Sequence, residues 1–180
     1  MEYHYIYIQF KGVVSISQIL KYRAASLCII WKEESILLEQ FPEEDDVITF
    51  RPVGGTIEYG EDSKSAVIRE VKEEINQEIT EVRLLGIIEN IFPYYAETGH
   101  EFDFIYEAKL LSNKSYEHEA IEGFEGENKF IAVWKRVTDF KDNPNIKLVP
   151  DGLLEMLTNQ GKSESINEIK HINTKDILEF

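Results

Sequence analysis

The sequence contains one cysteine and no long apolar run. Cys28 alone excludes an intramolecular disulfide, and its position within the apolar residues 26–31 indicates a small buried hydrophobe rather than a reactive thiol. No segment approaches the roughly 20 apolar residues that a membrane-spanning helix needs. Residues 1–4 also lack the basic-then-apolar pattern of a secretory signal. We therefore expect a cytoplasmic protein without a membrane span.

Basic residues are scarce as well. Asp and Glu number 34 against 19 Lys and Arg, which gives a formal net charge of −15. Nucleic-acid polymers are expected to be repelled, because proteins bind their phosphates largely through Lys and Arg. A small phosphate ester is not excluded, since divalent cations held by carboxylates reverse the local sign of the field.

The composition that remains is typical of one folded domain. Of the 180 residues, 43% are hydrophobic and 12% are aromatic, which lies in the globular range. We assign residues 1–180 to a single domain. Within it we expect an N-terminal strand extension over about residues 1–20 and a short C-terminal tail over about residues 160–180.

The apolar pattern predicts more strands than helices. Helices are predicted over Ser63–Ile75, capped by Asp62 or Ser63, and over Leu153–Thr158. A hairpin is expected at residues 32–34, a third strand should stop at Pro52, and the acidic residues 43–46 fit a solvated loop. Helices separated by several strands favour an α/β (α+β) fold with a mixed β-sheet flanked by helices. The predicted strands cover residues 1–10, 24–31, 35–40, 47–51, 82–88, 103–110, 129–137 and 168–173.

Three carboxylates recur at helical spacing in the first helix. Glu70, Glu73 and Glu74 are separated by three and four residues, so Glu70 lies beside both others and the three should converge. Like charges this close destabilise a helix, and a hard cation such as Mg²⁺ would offset the repulsion. The helix alone, however, is more simply the solvated side of an amphipathic helix.

The loop before the helix reverses that preference. Gly54-Gly55 permits a close approach of backbone to a ligand and could present the Gly55 carbonyl to the same metal. Arg69 can form a bidentate pair with Glu61 and so fix the loop against the helix.

The segment from Gly55 to Gln77 resembles the Nudix box. That family pattern is Gly, five residues, Glu, seven residues, Arg-Glu, an aliphatic residue, any residue, Glu-Glu, any residue, Gly, and an aliphatic residue. Asn76 replaces the glycine and Gln77 replaces the last aliphatic residue. Asparagine tolerates the left-handed conformation that glycine usually adopts at a helix end, so the first change is mild. The matching residues are Gly55, Glu61, Arg69, Glu70, Val71, Glu73 and Glu74.

The resemblance implies a Nudix-like α/β/α sandwich and a hydrolase dependent on Mg²⁺, with Mn²⁺ as an alternative metal. Such an enzyme cleaves the diphosphate linkage of a nucleoside diphosphate joined to another group, as in a modified nucleoside triphosphate, a nucleotide sugar or an ADP-ribose-like molecule. The implied roles are Glu70 and Glu74 as principal metal ligands, Glu73 as a further ligand or the group that activates water, the Gly55 carbonyl as a ligand, and Glu61 with Arg69 as the supporting pair.

The general base is not fixed by the box, because several members of the family use a glutamate in a distant loop. Four glutamates crowd the loop before the strand predicted at residues 129–137. We favour Glu127 as the base and assign the others, Glu119, Glu122 and Glu125, to an ordinary solvated loop.

Substrate-binding residues are harder to recognise. Arg23 and Arg51 flank the hairpin and the box, where they would meet phosphates or form surface ion pairs worth under about 1 kcal/mol. Tyr94, within the aromatic residues 92–95, would stack on a base or pack against the sheet.

A second function from a different class is a catalytically silent Nudix-like module that binds a nucleotide as a sensor. The retained carboxylates and Arg69 favour the enzyme, as does the small space left for an output domain. A homodimer is left open.

Overall fold

A computed structural model describes residues 22–43, 46–94, 97–159 and 169–173. The strand predicted over residues 1–10 lies outside these ranges. A short 3₁₀ helix spans Asn113–Glu117. The remaining elements are β1 Arg23–Lys32, β2 Ser35–Gln40, β3 Ile48–Thr56, α1 Ser63–Ile75, β4 Ile79–Tyr94, β5 Glu97–Leu110, β6 Ala120–Glu125, β7 Asn128–Arg136, α2 Asp139–Asp142, β8 Ile146–Leu148, α3 Leu153–Thr158 and β9 Ile169–Asn173.

The strands form one mixed sheet in the order β6-β7-β2-β3-β1-β5-β4-β9, with β8 beside β3. In the middle of the sheet β1 runs parallel to β5 and antiparallel to β3. The predicted hairpin of β1 and β2 is confirmed, but the two strands pair only beside their turn, at Trp31↔Ile36 and Lys32↔Ser35. Beyond it each strand pairs with other neighbours.

Helices cover both faces of the sheet. Leu27 and Ile29 of β1 pack into a core cluster that includes Phe140 of α2 and Leu153 and Leu157 of α3. The alternate β1 residues, Cys28 and Ile30, join a second cluster that includes Val67, Val71 and Ile75 of α1. The run of apolar residues in β1 therefore reflects burial on both faces. The mixed sheet with flanking helices is as predicted.

The prediction that the third strand stops at Pro52 was wrong. β3 continues to Thr56 because it changes partner along its length. Residues 50–52 pair with β2, and residues 53–56 pair with β1. Pro52 lies where β3 changes from pairing with β2 to pairing with β1. Its missing N–H therefore falls at the end of a hydrogen-bonded ladder and not within one. The glycine pair that we placed beyond the strand is therefore part of it.

The acidic loop predicted before residue 129 is in part the strand β6. Ala120–Glu125 forms an edge strand that pairs with β7 through a tight turn at residues 126–127. Its apolar pattern is weak because one face is solvated and Gly123 contributes no side chain. The Gly123 Cα instead lies against the ring of Phe130.

Two further differences concern lengths. The hairpin of β4 and β5 is longer than the predicted residues 82–88 and 103–110, and it reaches to residues 94 and 97. The late strand is confirmed as β9, which runs parallel to β4. Within the described part of the chain, no helix is long and apolar enough to cross a membrane.

Candidate active site

Helix α1 is fixed by its first turn. The Asp62 side chain accepts hydrogen bonds from the backbone N–H groups of Lys64 and Ser65, each at 3.0 Å, as an N-cap should. The hydroxyl of the buried Ser26, on β1, donates to the Ser63 carbonyl at 2.7 Å. The Ser63 hydroxyl lies 2.8 Å from that of Tyr106 on β5. The central strands therefore set where the carboxylates of α1 lie.

Arg69 ties the loop to the helix, as the sequence predicted. Its Nε and Nη2 donate to the two oxygens of Glu61 at 2.9 and 2.8 Å, a bidentate pair. Nη2 also donates to the Thr56 carbonyl at 3.0 Å. Nη1 donates to Glu70 at 2.8 Å and to Glu73 at 3.0 Å. These hydrogen bonds lower the pKa of Glu61 and raise that of Arg69.

Glu74 is the most deeply buried carboxylate of the helix, at 5% exposure. Its Oε2 accepts a hydrogen bond from the Gly54 N–H at 3.0 Å. Burial raises its pKa to about 8, against the opposing effect of Arg51, and Glu70 adds to the rise. A group that resists ionisation when alone is stabilised as an anion by a nearby cation.

Glu70 lies directly against Gly55. A Cβ at position 55 would come within 2.7 Å of the Glu70 Cδ and 2.8 Å of both of its oxygens, so the absence of a side chain admits the carboxylate. Partial burial raises the pKa of Glu70, although Arg69 lowers it. The box therefore brings a carboxylate and the backbone of a glycine into contact.

The predicted convergence of all three helix carboxylates is not observed. Glu73 is 60% exposed and turns with Glu70 towards Arg69, whereas Glu74 turns under the helix towards Gly54. Among the residues described, no three His, Cys, Asp or Glu side chains gather in the geometry of a metal centre. The donors nevertheless fit a hard cation, since Glu70 and Glu74 are crowded, partly desolvated oxygen ligands that repel each other.

The two departures from the family pattern lie at the end of α1. Asn76 adopts the expected left-handed conformation, with φ 51° and ψ 36°, and its N–H bonds to the Val71 carbonyl. Gln77 does more than lose a packing contact, because its Oε1 accepts a hydrogen bond from the Ser115 hydroxyl at 2.6 Å.

Arg23 and Arg51 are both paired with carboxylates. Arg23 bonds Glu101 at 3.0 Å and Thr56 Oγ1 at 3.1 Å. Arg51 bonds Glu39 at 3.1 Å in a nearly buried pair. Burial alone would lower the pKa of Arg51, but the surrounding carboxylates Glu39, Glu74 and Glu125 raise it. Arg51 is therefore a partly buried counter-charge beside Glu39 and Glu74, and its contact with a substrate phosphate stays a prediction.

Of the glutamates considered as general base, Glu127 lies exposed in the turn between β6 and β7. Glu125, at the end of β6, acts electrostatically on both Glu39 and Arg51. The fold thus brings Glu125 towards the buried charges, and the role of Glu127 stays a prediction. The side chain of Tyr94, at the end of β4, lies outside the described residues.

Sequence reasoning missed three buried polar residues on the strands of the sheet: Glu39, Asn90 and Asp103. Burial raises the pKa of Asp103 to about 7, Glu101 adds to the rise, and Arg23 and Arg51 oppose it. A signal was present at Glu39, a charged residue directly after the apolar residues 36–38 of β2. The alternation of Phe102 and Phe104 instead favours an exposed Asp103.

The chain matches the family model described as NUDIX domain over residues 21–155. No curated protein matches it.

Solved structures share the fold. A MutT NUDIX hydrolase from Burkholderia pseudomallei superposes with a TM-score of 0.56 at 18% identity, covering 76% of this chain and 97% of its own. A NUDIX hydrolase from Nitrosomonas europaea gives 0.56 at 17% identity, covering 89% and 97%. An ADP-ribose pyrophosphatase from Streptococcus suis gives 0.52 at 20% identity, covering 83% and 98%. At these identities the likeness establishes the fold alone.

Proposed function

The chain belongs to the NUDIX domain family and is a hydrolase of that family, and from this premise we propose that it cleaves a diphosphate linkage with the help of Mg²⁺. The substrate is a nucleoside diphosphate joined to a further group, as in a modified nucleoside triphosphate, a nucleotide sugar or an ADP-ribose-like molecule. Mn²⁺ is an alternative metal.

The contact between Glu70 and Gly55 carries this proposal. It places the partly buried Glu70 carboxylate against backbone that has no side chain. Arg69 stabilises this contact through hydrogen bonds to Glu61, Glu70 and the Thr56 carbonyl. A purely structural surface helix needs neither the missing Cβ nor a buried Glu74. Carboxylate and carbonyl oxygens grouped in this way suit a hard cation and the phosphates that complete its shell.

The proposed roles are compatible with these contacts. Glu70 and Glu74 would hold the metal with the Gly55 carbonyl, and Glu73, the most exposed of the three, would ligate further or accept a proton from water. A bound Mg²⁺ neutralises the diphosphate and lowers the pKa of a coordinated water. Glu61 and Arg69 position the loop and do not need to touch the substrate.

The test is turnover by the purified protein with Mg²⁺ on nucleoside triphosphates, nucleotide sugars and ADP-ribose. We expect release of nucleoside monophosphate or phosphate from at least one. Glu74→Gln and Glu70→Gln should each lower kcat by at least ~100-fold, since loss of even an outer-shell partner of a metal ligand costs ~10- to 100-fold.

Glu78→Gln is the matched control. It makes the same chemical change just beyond the same helix, at an exposed residue that pairs with Lys72 at 3.7 Å. This variant should keep wild-type turnover. Absence of turnover on the whole panel would refute the enzyme and favour the nucleotide-binding sensor, and normal turnover in both box variants would remove Glu70 and Glu74 as ligands.

A further inference from the structure

Two buried polar side chains lie together on one face of the sheet and take no part in the chemistry proposed above. Asp103 of β5 is 2% exposed and Asn90 of β4 is 7% exposed. Asn90 pairs across the strands with Glu101, two residues before Asp103. Side chains at such diagonal positions point to the same face and lie about 7–8 Å apart at Cα. One small chemical group can therefore contact both.

Each of the two side chains has an oxygen without a hydrogen-bond partner. Over the described ranges, Asp103 Oδ2 and Asn90 Oδ1 are two of only three buried side-chain polar atoms in this condition, the third being Arg51 Nε. Buried polar atoms in folded proteins are nearly always paired, so adjacent exceptions on one face indicate a partner that the described residues do not supply.

This face reaches the box at the end of β3, whereas Glu70 contacts Gly55 on the opposite face, where α1 packs. Thr56 of β3, Ala25 of β1 and Asp103 of β5 form one row across three neighbouring strands. Thr56 and Asp103 lie about 10 Å apart at the usual strand spacing, and Arg23 on the same face bonds Thr56 Oγ1 at 3.1 Å. Thr56 follows Gly55, and its carbonyl binds Arg69 at 3.0 Å. A molecule with its phosphates at Gly55 and Glu70 would reach this row by passing around the end of β3 at Thr56.

The charges around Asp103 define what it can bind. Glu101 and Arg23 form an ion pair at 3.0 Å on the neighbouring row, and Arg51 also acts on Asp103. The two unpaired atoms are an amide oxygen and a carboxyl oxygen. Both accept hydrogen bonds, so the complementary ligand group must present hydrogen-bond donors.

We propose that Asp103 and Asn90 form a subsite that accepts hydrogen bonds from donor groups of the substrate away from its diphosphate. These donors are either the hydroxyls of the ribose or the exocyclic amino group of the base. The inference rests on the proposed function, because it gives that reaction its substrate selectivity. It assigns Asp103 and Asn90 to recognition and leaves bond cleavage to the box.

The test compares intact substrates with analogues that lack one donor. ATP, GTP and ADP-ribose are each assayed beside their 2′-deoxy forms and beside forms without the exocyclic amino group. The wild type should discriminate against one kind of analogue by ~10- to 100-fold in kcat/KM, the value of hydrogen bonds to a charged group. Asp103→Asn should lose a similar factor on the intact substrate, mainly through KM, and should no longer discriminate.

Two further variants keep the test decisive. Asn90→Ser removes the amide oxygen by a different change and should weaken the same discrimination, even if Asp103→Asn fails to fold. Glu107→Gln is the matched control, since it makes a carboxylate-to-amide change four residues along β5, where the partner is Arg83. It should behave as the wild type.

The outcomes separate this inference from the proposed function. Loss of the 2′-deoxy discrimination identifies the ribose, and loss of the amino-group discrimination identifies the base. Discrimination that survives in both subsite variants overturns the inference while the enzyme stands. If the wild type turns over nothing, calorimetric binding of ADP and GDP replaces kinetics: weakening by at least ~10-fold in Asp103→Asn supports the subsite, and equal binding, or none by the wild type, overturns it.

Discussion

At the residue scale, one missing side chain determines where a carboxylate lies. A Cβ at Gly55 would meet the Glu70 carboxylate at 2.7–2.8 Å, closer than real Cβ atoms approach. Gly54, its neighbour, has φ +140° and lies against the β1 backbone, so its replacement would disturb the sheet itself. Only position 55 tests the carboxylate separately from the fold.

We therefore predict that Gly55→Ala lowers kcat by at least ~10-fold, because it displaces Glu70, the proposed metal ligand. The Glu70 carboxylate lies at the far end of a flexible side chain and can move away from the added methyl group, so the melting temperature should change little. Gly99→Ala is the control, since its Cβ would meet the Phe92 ring at 2.4–2.8 Å, far along the β4–β5 hairpin. If the two variants had equal activity, the Glu70–Gly55 contact would not be functional.

At the element scale, the sequence predicted the helix better than the strands. Both bounds of α1 follow from local signals, namely the cap at Asp62 and the end of the apolar spacing at Ile75. β3 was shortened because it changes partner from β2 to β1 along its length, and β6 was missed because its apolar pattern is weak. Pro52 is tolerated only where β3 changes partners, and β6 is recognisable only once β7 lies beside it.

The end of α1 gives a prediction at the same scale. Asn76 occupies a left-handed position that costs most residues roughly 1 kcal/mol and costs glycine nothing. Asn76→Ala should lower the free energy of unfolding by about 1 kcal/mol, and Asn76→Gly should leave it unchanged or raise it. Urea denaturation measures both. Equal destabilisation by Ala and Gly would show that the Asn76 side chain, not the backbone conformation, stabilises the helix end.

At the scale of the whole molecule, the sequence predicted which box residues lie together but not which buried polar residues lie on the other strands. The box residues are contiguous, so spacing alone placed Glu61, Arg69 and Glu70 together. Asn90 and Asp103 come from strands that meet only in the sheet, and nothing in their local sequence joins them to residue 55. The ion pair that the sequence offered for Arg51 as one alternative is formed with Glu39, mostly inside the fold rather than on the surface.

The net charge of −15 adds a prediction for the intact protein. Mg²⁺ that binds the folded state should raise the melting temperature more than NaCl does at equal ionic strength. Both salts screen all the charges of the protein, but only Mg²⁺ also binds at the site. Glu74→Gln should abolish the Mg²⁺-specific part and keep the response to NaCl. The same response to both salts in the wild type would argue against a metal site.

The pH dependence of that stabilisation has a definite sign. Burial raises the pKa of Glu74 to about 8, so without metal the folded state binds this proton more tightly than the unfolded state does. Protonation of Glu74 therefore contributes fully to the free energy of unfolding below pH 4.5, and this contribution is lost as the pH rises through about 8. Mg²⁺ competes for the ionised carboxylate, and its stabilising effect should therefore be larger at pH 8.5 than at pH 6. Thermal unfolding at both values with and without Mg²⁺ measures the difference. A Mg²⁺ effect that shrinks with rising pH would mean that the cation binds elsewhere than at Glu74.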